Sequence, residues 1–325
     1  MTDAGETPLR LAMLGMVEGN GHPYSWSAIF NGYDPEAMAA LCPFPGIVTY
    51  LGREPSGTEG VGARVGAKVT HVWTDDPEDA PKVARAALIP DVAARPEDVI
   101  GAVDAVLVAT DVGGEHVARC RPFVEAGVPV FVDKPLADSA ADLATFRGWV
   151  RDGGARLLSS SCMRYAKEFA PFRESTHDLG ELRFVTVTMA KSWERYGIHA
   201  LEAVYPVLGP GFVSARALAT GTADSGGVIV RLRHRSGADV LVTQSYDLTG
   251  SFGVLQIAGT AGHAHAAFSD TYYAFRAQLE AFVGYLKSGV LPFPFAETDE
   301  LIRIVIAGRV SRDEGGREVL LEEFA

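Results

Sequence analysis

The stretch Val103 to Pro135, VDAVLVATDVGGEHVARCRPFVEAGVPVFVDKP, restricts the fold more than any other part of this chain. It holds two Val-rich apolar runs of five residues, Ala105 to Ala109 and Val128 to Val132. Continuous apolar runs of that length read as parallel strands buried on both faces. Between them Glu115 to Ala126 can form a helix, with Val117, Phe123 and Val124 on its inner face and Gly127 as its stop. Strand, helix, strand makes a βαβ unit with a right-handed crossover. The second strand delivers Asp133, Lys134 and Pro135 at its carboxyl end, where open α/β sheets gather their chemistry.

The rest of the chain extends this pattern. Leu9 to Leu14 reads as a first strand leading into the glycine-rich Gly15-Met16-Val17-Glu18-Gly19-Asn20-Gly21-His22, whose spacing is not Gly-x-Gly-x-x-Gly. A glycine-rich turn in that position lets backbone N–H groups approach a pyrophosphate. The segment 22–68 carries His-Pro-Tyr-Ser-Trp-Ser and Cys-Pro-Phe-Pro-Gly and reads as a lid loop with a short helix at Ser25 to Asn31, or else as aromatics packed on their own domain. Val69 to Trp73 is the second strand, with Ile47 to Leu51 as its competitor. Asp75 then follows at a strand end, where a carboxylate can accept from ribose hydroxyls. It lies 60 residues after Gly15, against the usual spacing of about twenty. Helices are expected at Asp79 to Ala87 and Ala140 to Gly153, a helical turn at Pro96 to Gly101, and a strand at Leu157 to Cys162.

Beyond that point the apolar period is two, over Phe184 to Met189, Val228 to Arg233, Val240 to Tyr246 and Val254 to Ile257. This describes a mostly antiparallel sheet with one wet face. Helices are expected at Tyr272 to Lys287 and Asp299 to Val310. The expected class is α/β. An amino-terminal doubly wound parallel sheet (residues 1–135) precedes an α+β domain with an open antiparallel sheet (136–325), and 325 residues suffice for two cores.

A net charge of −12 disfavours nucleic acid and anionic membrane as partners. No run reaches the ~18 apolar residues of a membrane span. The opening MTDAGETPLR lacks the basic and apolar parts of a secretory signal, and three scattered cysteines form no disulfide framework. A cytoplasmic location is therefore expected.

Asp133-Lys134-Pro135 after an apolar strand, with His116 one helix upstream, resembles the Glu-Lys-Pro element of the Gfo/Idh/MocA family, NAD(P)-dependent oxidoreductases of sugars, sugar nucleotides and cyclitols. Further motifs fall in family order: Arg164-Tyr165, Gly197-Ile198-His199, the turn Ile257 to Gly262, and the tail Leu279 to Leu321. The resemblance implies a Rossmann domain followed by a substrate-binding and oligomerisation domain. It places Gly15, Gly19, Gly21, Asp75, Thr110, His116 and Lys134 at the cofactor, and Lys134 and His199 in catalysis. NAD is expected over NADP, because no Arg or Lys adjoins Asp75 and Asp76 in sequence. More weakly, Gly-Asn-Gly-His-Pro-Tyr-Ser-Trp resembles sugar-nucleotide 3-dehydrogenases of actinobacterial secondary metabolism.

The chemistry follows from residue types. A Lys at a strand end can polarise a carbinol or carbonyl oxygen. An imidazole suits proton transfer, and His199 is read as opening a helical run to Leu208 just after Gly197. The family's Asp four residues before that His is missing. Arg195 stands there, with Glu194 beside it as a possible substitute. Arg164 and Tyr165 are candidates for contacting a polyhydroxyl or anionic substrate, with Trp193, Glu194, Arg195 and Tyr246 as further substrate-side candidates. His263 and His265 lack a third ligand, so no metal is expected. The expected function is hydride transfer between nicotinamide and a ring hydroxyl or ketone. The alternatives are a non-catalytic dinucleotide or sugar sensor and a redox-neutral epimerase or glycosidase using bound NAD. The expected partners are a small-molecule substrate and other copies of the chain, a dimer or tetramer through the C-terminal sheet.

Overall fold

The computed structural model describes residues 7–54, 57–221, 226–248, 250 and 252–325, so part of the amino-terminal segment read above lies outside it. The chain forms two compact units. The first comprises Met1–Asp133, Phe146–Ser159 and Phe275–Pro292; the second comprises Lys134–Thr145, Ser160–Ala274 and Phe293–Ala325. The first crossing falls at Asp133/Lys134, and the chain then passes back and forth between the units rather than changing once at Pro135.

In the first unit six strands pair in parallel: β1 (Leu9–Leu14), β2 (Ala67–Trp73), β3 (Asp91–Val92), β4 (Ala105–Val108), β5 (Val130–Val132) and β6 (Leu157–Ser159). Their order is β3-β2-β1-β4-β5-β6, the doubly wound Rossmann arrangement. Every residue of β4 and β5 is buried, as runs covered on both faces require.

The long connection between β1 and β2 is helical: α1 (His22–Asn31), α2 (Pro35–Leu41), α3 (Pro45–Arg53) and α4 (Gly62–Val65). This decides between two pairs of alternatives. Tyr24 and Trp26 are 1% and 0% exposed, so the segment's aromatics belong to the core and not to an open lid. Ile47 to Leu51 lies inside α3, because Pro45 occupies the first turn and pre-sets helical φ. Asp34 caps α2 by accepting from the N–H groups of Glu36 and Ala37. Next come α5 (Asp79–Ala86) after β2, α6 (His116–Glu125) between β4 and β5, and α7 (Ala140–Arg147), which a π turn over Gly148–Asp152 extends toward β6.

The second unit holds α8 (Ala170–Glu174), β7 (Leu182–Ala190), α9 (Trp193–Leu208), β8 (Phe212–Thr220), β9 (Gly227–His234), β10 (Asp239–Ser245), β11 (Val254–Gly259) and β12 (His263–Ala267). After α10 (Thr271–Ser288) come α11 (Phe295–Asp313) and the short β13 (Val319–Leu320). The sheet runs β12-β11-β7-β10-β9-β8-β13, antiparallel except where β7 meets β10. Helices α9 and α11 pack on one face. The other leaves Phe184 52% and Leu218 64% exposed. Among the described residues no helix is long and apolar enough to cross a membrane, and no cluster of His, Cys, Asp or Glu is placed to hold a metal ion.

Candidate active site

In the first unit the functional groups gather at the carboxyl ends of the strands. Gly15 leaves β1 with φ at +89°, and its N–H donates to the carbonyl of Trp73 at 2.8 Å. A Cβ there would lie 2.7 Å from Cγ2 of Thr110, so only glycine fits where β1, β2 and β4 converge. Asp75 accepts from the Met16 N–H at 3.0 Å and from Arg119 at 2.7 Å. Thr110 is fully buried, and its hydroxyl has no hydrogen-bond partner among the described residues. His116, also fully buried, sets Nε2 2.8 Å from the Thr110 carbonyl and so braces the loop after β4. Behind these ends a cavity of about 240 Å³ is lined by Leu14, Trp73, Val108, Arg119 and Phe123. A buried hydroxyl without a partner, a turn with no room for a side chain, and a carboxylate after β2 together fit a dinucleotide's phosphate and ribose groups.

Arg119 corrects one expectation. A cation does adjoin Asp75, brought there from α6 and invisible in local sequence. It donates to both Asp75 and Glu115, so its charge is already matched by carboxylates. Gly19 and Gly21 differ from Gly15. Gly19 is exposed with open space around it, whereas a Cβ on Gly21 would strike the Phe44 ring at 2.3 Å. The demand at Gly21 is therefore the packing of α1 on α3. The same loop is tied to β5: Oδ2 of Asp133, which is 1% exposed, accepts from Asn20 Nδ2 and lies 3.2 Å from His22 Nε2. The His22 ring stacks on Trp26 at 4.3 Å between centroids.

The second unit brings Lys134, His199 and Tyr196 together. Lys134 is 3% exposed and sets Nζ 4.9 Å from the centroid of the Tyr196 ring. The Tyr196 ring lies 5.0 Å from the His199 ring, and its hydroxyl accepts from Lys191 Nζ at 2.6 Å. His199 sits mid-helix, because α9 begins at Trp193, six residues earlier than the helix was expected to start. Its Nδ1 lies 2.6 Å from Ser161 Oγ. Glu202, one turn on, accepts from the Ser161 N–H at 3.1 Å and from Arg164. Burial pushes the Glu202 carboxyl up from its ordinary value, against the pull of Arg164.

Other substrate-side candidates have different employment. Arg164 is 8% exposed, held by Glu202 and by Glu297 at 2.7 Å, with its guanidinium 3.9 Å above the Phe293 ring. It is a core ion-pair centre. Trp193 is 2% exposed, donates to the Val305 carbonyl at 2.8 Å and fills the space beside Gly197 and Gly308. It locks α9 to α11 and offers no face to a sugar. Glu194 pairs with Arg312, which removes it as a substitute for the missing Asp. Arg195 is partly exposed on the same turn. Tyr165 is half-buried, with its hydroxyl 3.5 Å from Ser160 Oγ, and Tyr246 is 62% exposed just past β10. Sequence reasoning missed Tyr196, Lys191 and Ser161. The signal for Tyr196 was available: it stands one residue past the position of the missing Asp.

The Gfo/Idh/MocA family model, described as an oxidoreductase family with an NAD-binding Rossmann fold, matches residues 53–157. No curated protein matches the chain significantly in sequence. Solved structures match over nearly all of it. An oxidoreductase from Agrobacterium radiobacter in complex with NAD+, L-tartaric acid and magnesium is 16% identical with a TM-score of 0.75, covering 98% of this chain and 100% of its own. A putative myo-inositol dehydrogenase from Sinorhizobium meliloti 1021 is 20% identical with a TM-score of 0.71, covering 96% and 99%. GenD2 from gentamicin A biosynthesis, in complex with NAD, is 17% identical with a TM-score of 0.70, covering 98% and 99%. At these identities the likeness shows a shared fold.

Proposed function

We propose, from the match of residues 53–157 to the NAD-binding Rossmann fold of the Gfo/Idh/MocA oxidoreductases, that the chain is a dehydrogenase transferring hydride to or from a ring hydroxyl or ketone of a cyclitol, sugar or sugar nucleotide. The observation that carries the reading is the meeting of buried Lys134 with Tyr196 and His199 in one cluster. NAD, when bound, supplies the hydride acceptor or donor. Gly15, Thr110 and Asp75 are the groups that would hold it. Lys134 places a cation where a carbinol oxygen gains negative charge as its proton leaves. In the tautomer where the Ser161 hydroxyl donates to Nδ1, His199 carries its proton on Nε2 and can exchange it with a substrate oxygen.

The homo-oligomer belongs to the same proposal. Phe184 and Leu218 stand on the sheet face that the unit's own helices leave uncovered, and a second copy would bury them. Light scattering that finds only monomer at micromolar concentration would remove it.

Thermal shift with NAD and NADP, followed by an absorbance screen at 340 nm over cyclitols, sugars and nucleotide sugars, tests the function. NAD should raise Tm and at least one polyol should be turned over. Absence of any dinucleotide binding would sink the proposal. A second reading, a sensor that binds without turnover, draws on Arg195 standing where the family has Asp. Tight NAD binding with no product after prolonged incubation would favour it.

A further inference from the structure

We infer that Tyr196 is the proton-exchanging residue that takes over from the missing Asp, with Lys191 as the residue that positions its hydroxyl. The inference rests on the dehydrogenase reading above. Three observations carry it. First, neither neighbour of the missing carboxylate can replace it: position 195 is a cation, and the Glu194 carboxylate is consumed by Arg312. Second, Tyr196 is an acid–base side chain that lies beside both Lys134 and His199, its ring 4.9 Å from the Lys134 ammonium and 5.0 Å from the His199 ring. Third, its hydroxyl oxygen accepts a hydrogen bond from Lys191 Nζ at 2.6 Å. An oxygen that already accepts from an ammonium directs its own proton elsewhere, and the adjacent cation stabilises the charge left when that proton moves.

Lys191 itself is unusual. It is one of two non-glycine residues with positive φ among those described, at +65°, where β7 gives way to α9. Its N–H donates to the Ser245 carbonyl at 2.9 Å, which anchors this backbone to the end of β10. A long side chain in the left-handed region is disfavoured and persists only where surrounding contacts impose it. Here the result is an ammonium turned onto the Tyr196 hydroxyl. That conformation is what a positioning residue for the phenol requires.

The step balances as follows. In the reduction direction hydride passes from NADH to the carbonyl carbon, and the Tyr196 hydroxyl gives its proton to the carbonyl oxygen while the Lys191 ammonium faces the phenol oxygen. The products are alcohol and NAD+, and solvent beside exposed Lys191 returns a proton to the Tyr196 oxygen. Oxidation runs the same transfers backward. Lys134 polarises the substrate oxygen throughout, and the Ser161-braced His199 stands beside Tyr196 in the same proton network.

The test uses the full chain with NAD+ and a panel of myo-inositol, UDP-glucose and UDP-N-acetylglucosamine, together with a readout independent of turnover. Tyr196→Phe keeps the ring against Lys134 and His199, so Tm and NAD binding should match wild type. Its kcat should fall by about two to four orders of magnitude with KM little changed. Lys191→Met should lower kcat by a smaller factor, and Lys191→Arg should restore part of it. Separately, with [13Cζ]tyrosine the resonance absent from Tyr196→Phe should move between wild type and Lys191→Met at fixed pH. Wild-type kcat in Tyr196→Phe, or a Tyr196 resonance indifferent to Lys191, overturns the inference while leaving the dehydrogenase reading intact. Failure of wild type to bind NAD, or to turn over any of the panel, overturns that reading and this inference with it.

Discussion

Arg119 Nη2 donates to Oδ1 of Asp75 across 2.7 Å, joining the helix after β4 to the end of β2. A guanidinium at the end of β2 is the group that would greet a ribose 2′-phosphate, and here a carboxylate holds it. Asp75→Ser should therefore weaken NAD and strengthen NADP. A charge-assisted hydrogen bond contributes about 1.5–3 kcal/mol, which is roughly ten- to hundredfold in affinity. Adding Arg119→Ala to Asp75→Ser should abolish the NADP gain. Titration calorimetry with both dinucleotides decides, and an Asp75→Ser protein that still prefers NAD tenfold would place the ribose elsewhere.

Lys134→Met and His199→Asn should each cost about two to four orders of magnitude in turnover. The double variant should lose much less than the product of the two effects, because groups serving one proton transfer act as a unit. NAD affinity should change little in His199→Asn. Full activity in that variant would take the imidazole out of the chemistry and leave Tyr196 with the proton.

Arg164 was expected at the substrate and is found between Glu202 and Glu297. Removing one partner of a buried pair leaves an uncompensated charge, a loss of roughly 3–5 kcal/mol. Arg164→Met should accordingly lower Tm sharply. Because Glu202 also holds Ser161, it should slow turnover without raising KM. A normal Tm with raised KM would return Arg164 to the substrate.

Burial of His234 beside Phe212 pushes its imidazole below its ordinary value. The folded state thus binds this proton less readily than the unfolded chain. Stability is complete above the unfolded value of about 6.5 and declines as pH falls from there toward the folded one. Melting curves between pH 7.5 and 5 should show that decline, and His234→Gln should flatten it. An identical slope in the variant would assign the acid loss to other groups.

The legible parts of the chain were those whose signal is local. The apolar runs of β4 and β5 could be nothing but buried strands, and Gly127 with φ at +71° stops the helix between them. The strand β8 went unread because its inward positions include Ala215 and Ala217, too small to register as an apolar alternation. Ile47 to Leu51 is apolar enough for a strand, and only Pro45 and a spacing that buries Leu51 make it helix. Site roles failed where the deciding partner is remote. Trp193, Glu194 and Arg164 are claimed by Val305, Arg312 and Glu297, all more than a hundred positions away. Lys134 and His199 were named from residue type and from the family resemblance, and the fold sets both beside the Tyr196 ring.

The place of β7 in its sheet bears on how the chain is made. Phe184 pairs with Asp239 on one side and Ala258 on the other, so this central strand leaves the ribosome before either neighbour exists. The neighbours β8, β9 and β10 can zip as consecutive hairpins as they emerge, and β11 with β12 likewise. At synthesis rates of about 5–20 residues per second, β7 waits several seconds with both edges open. An unpaired strand rich in Val and Thr is a template for other chains. Nascent chains arrested before Val254 are thus the ones that most need a chaperone.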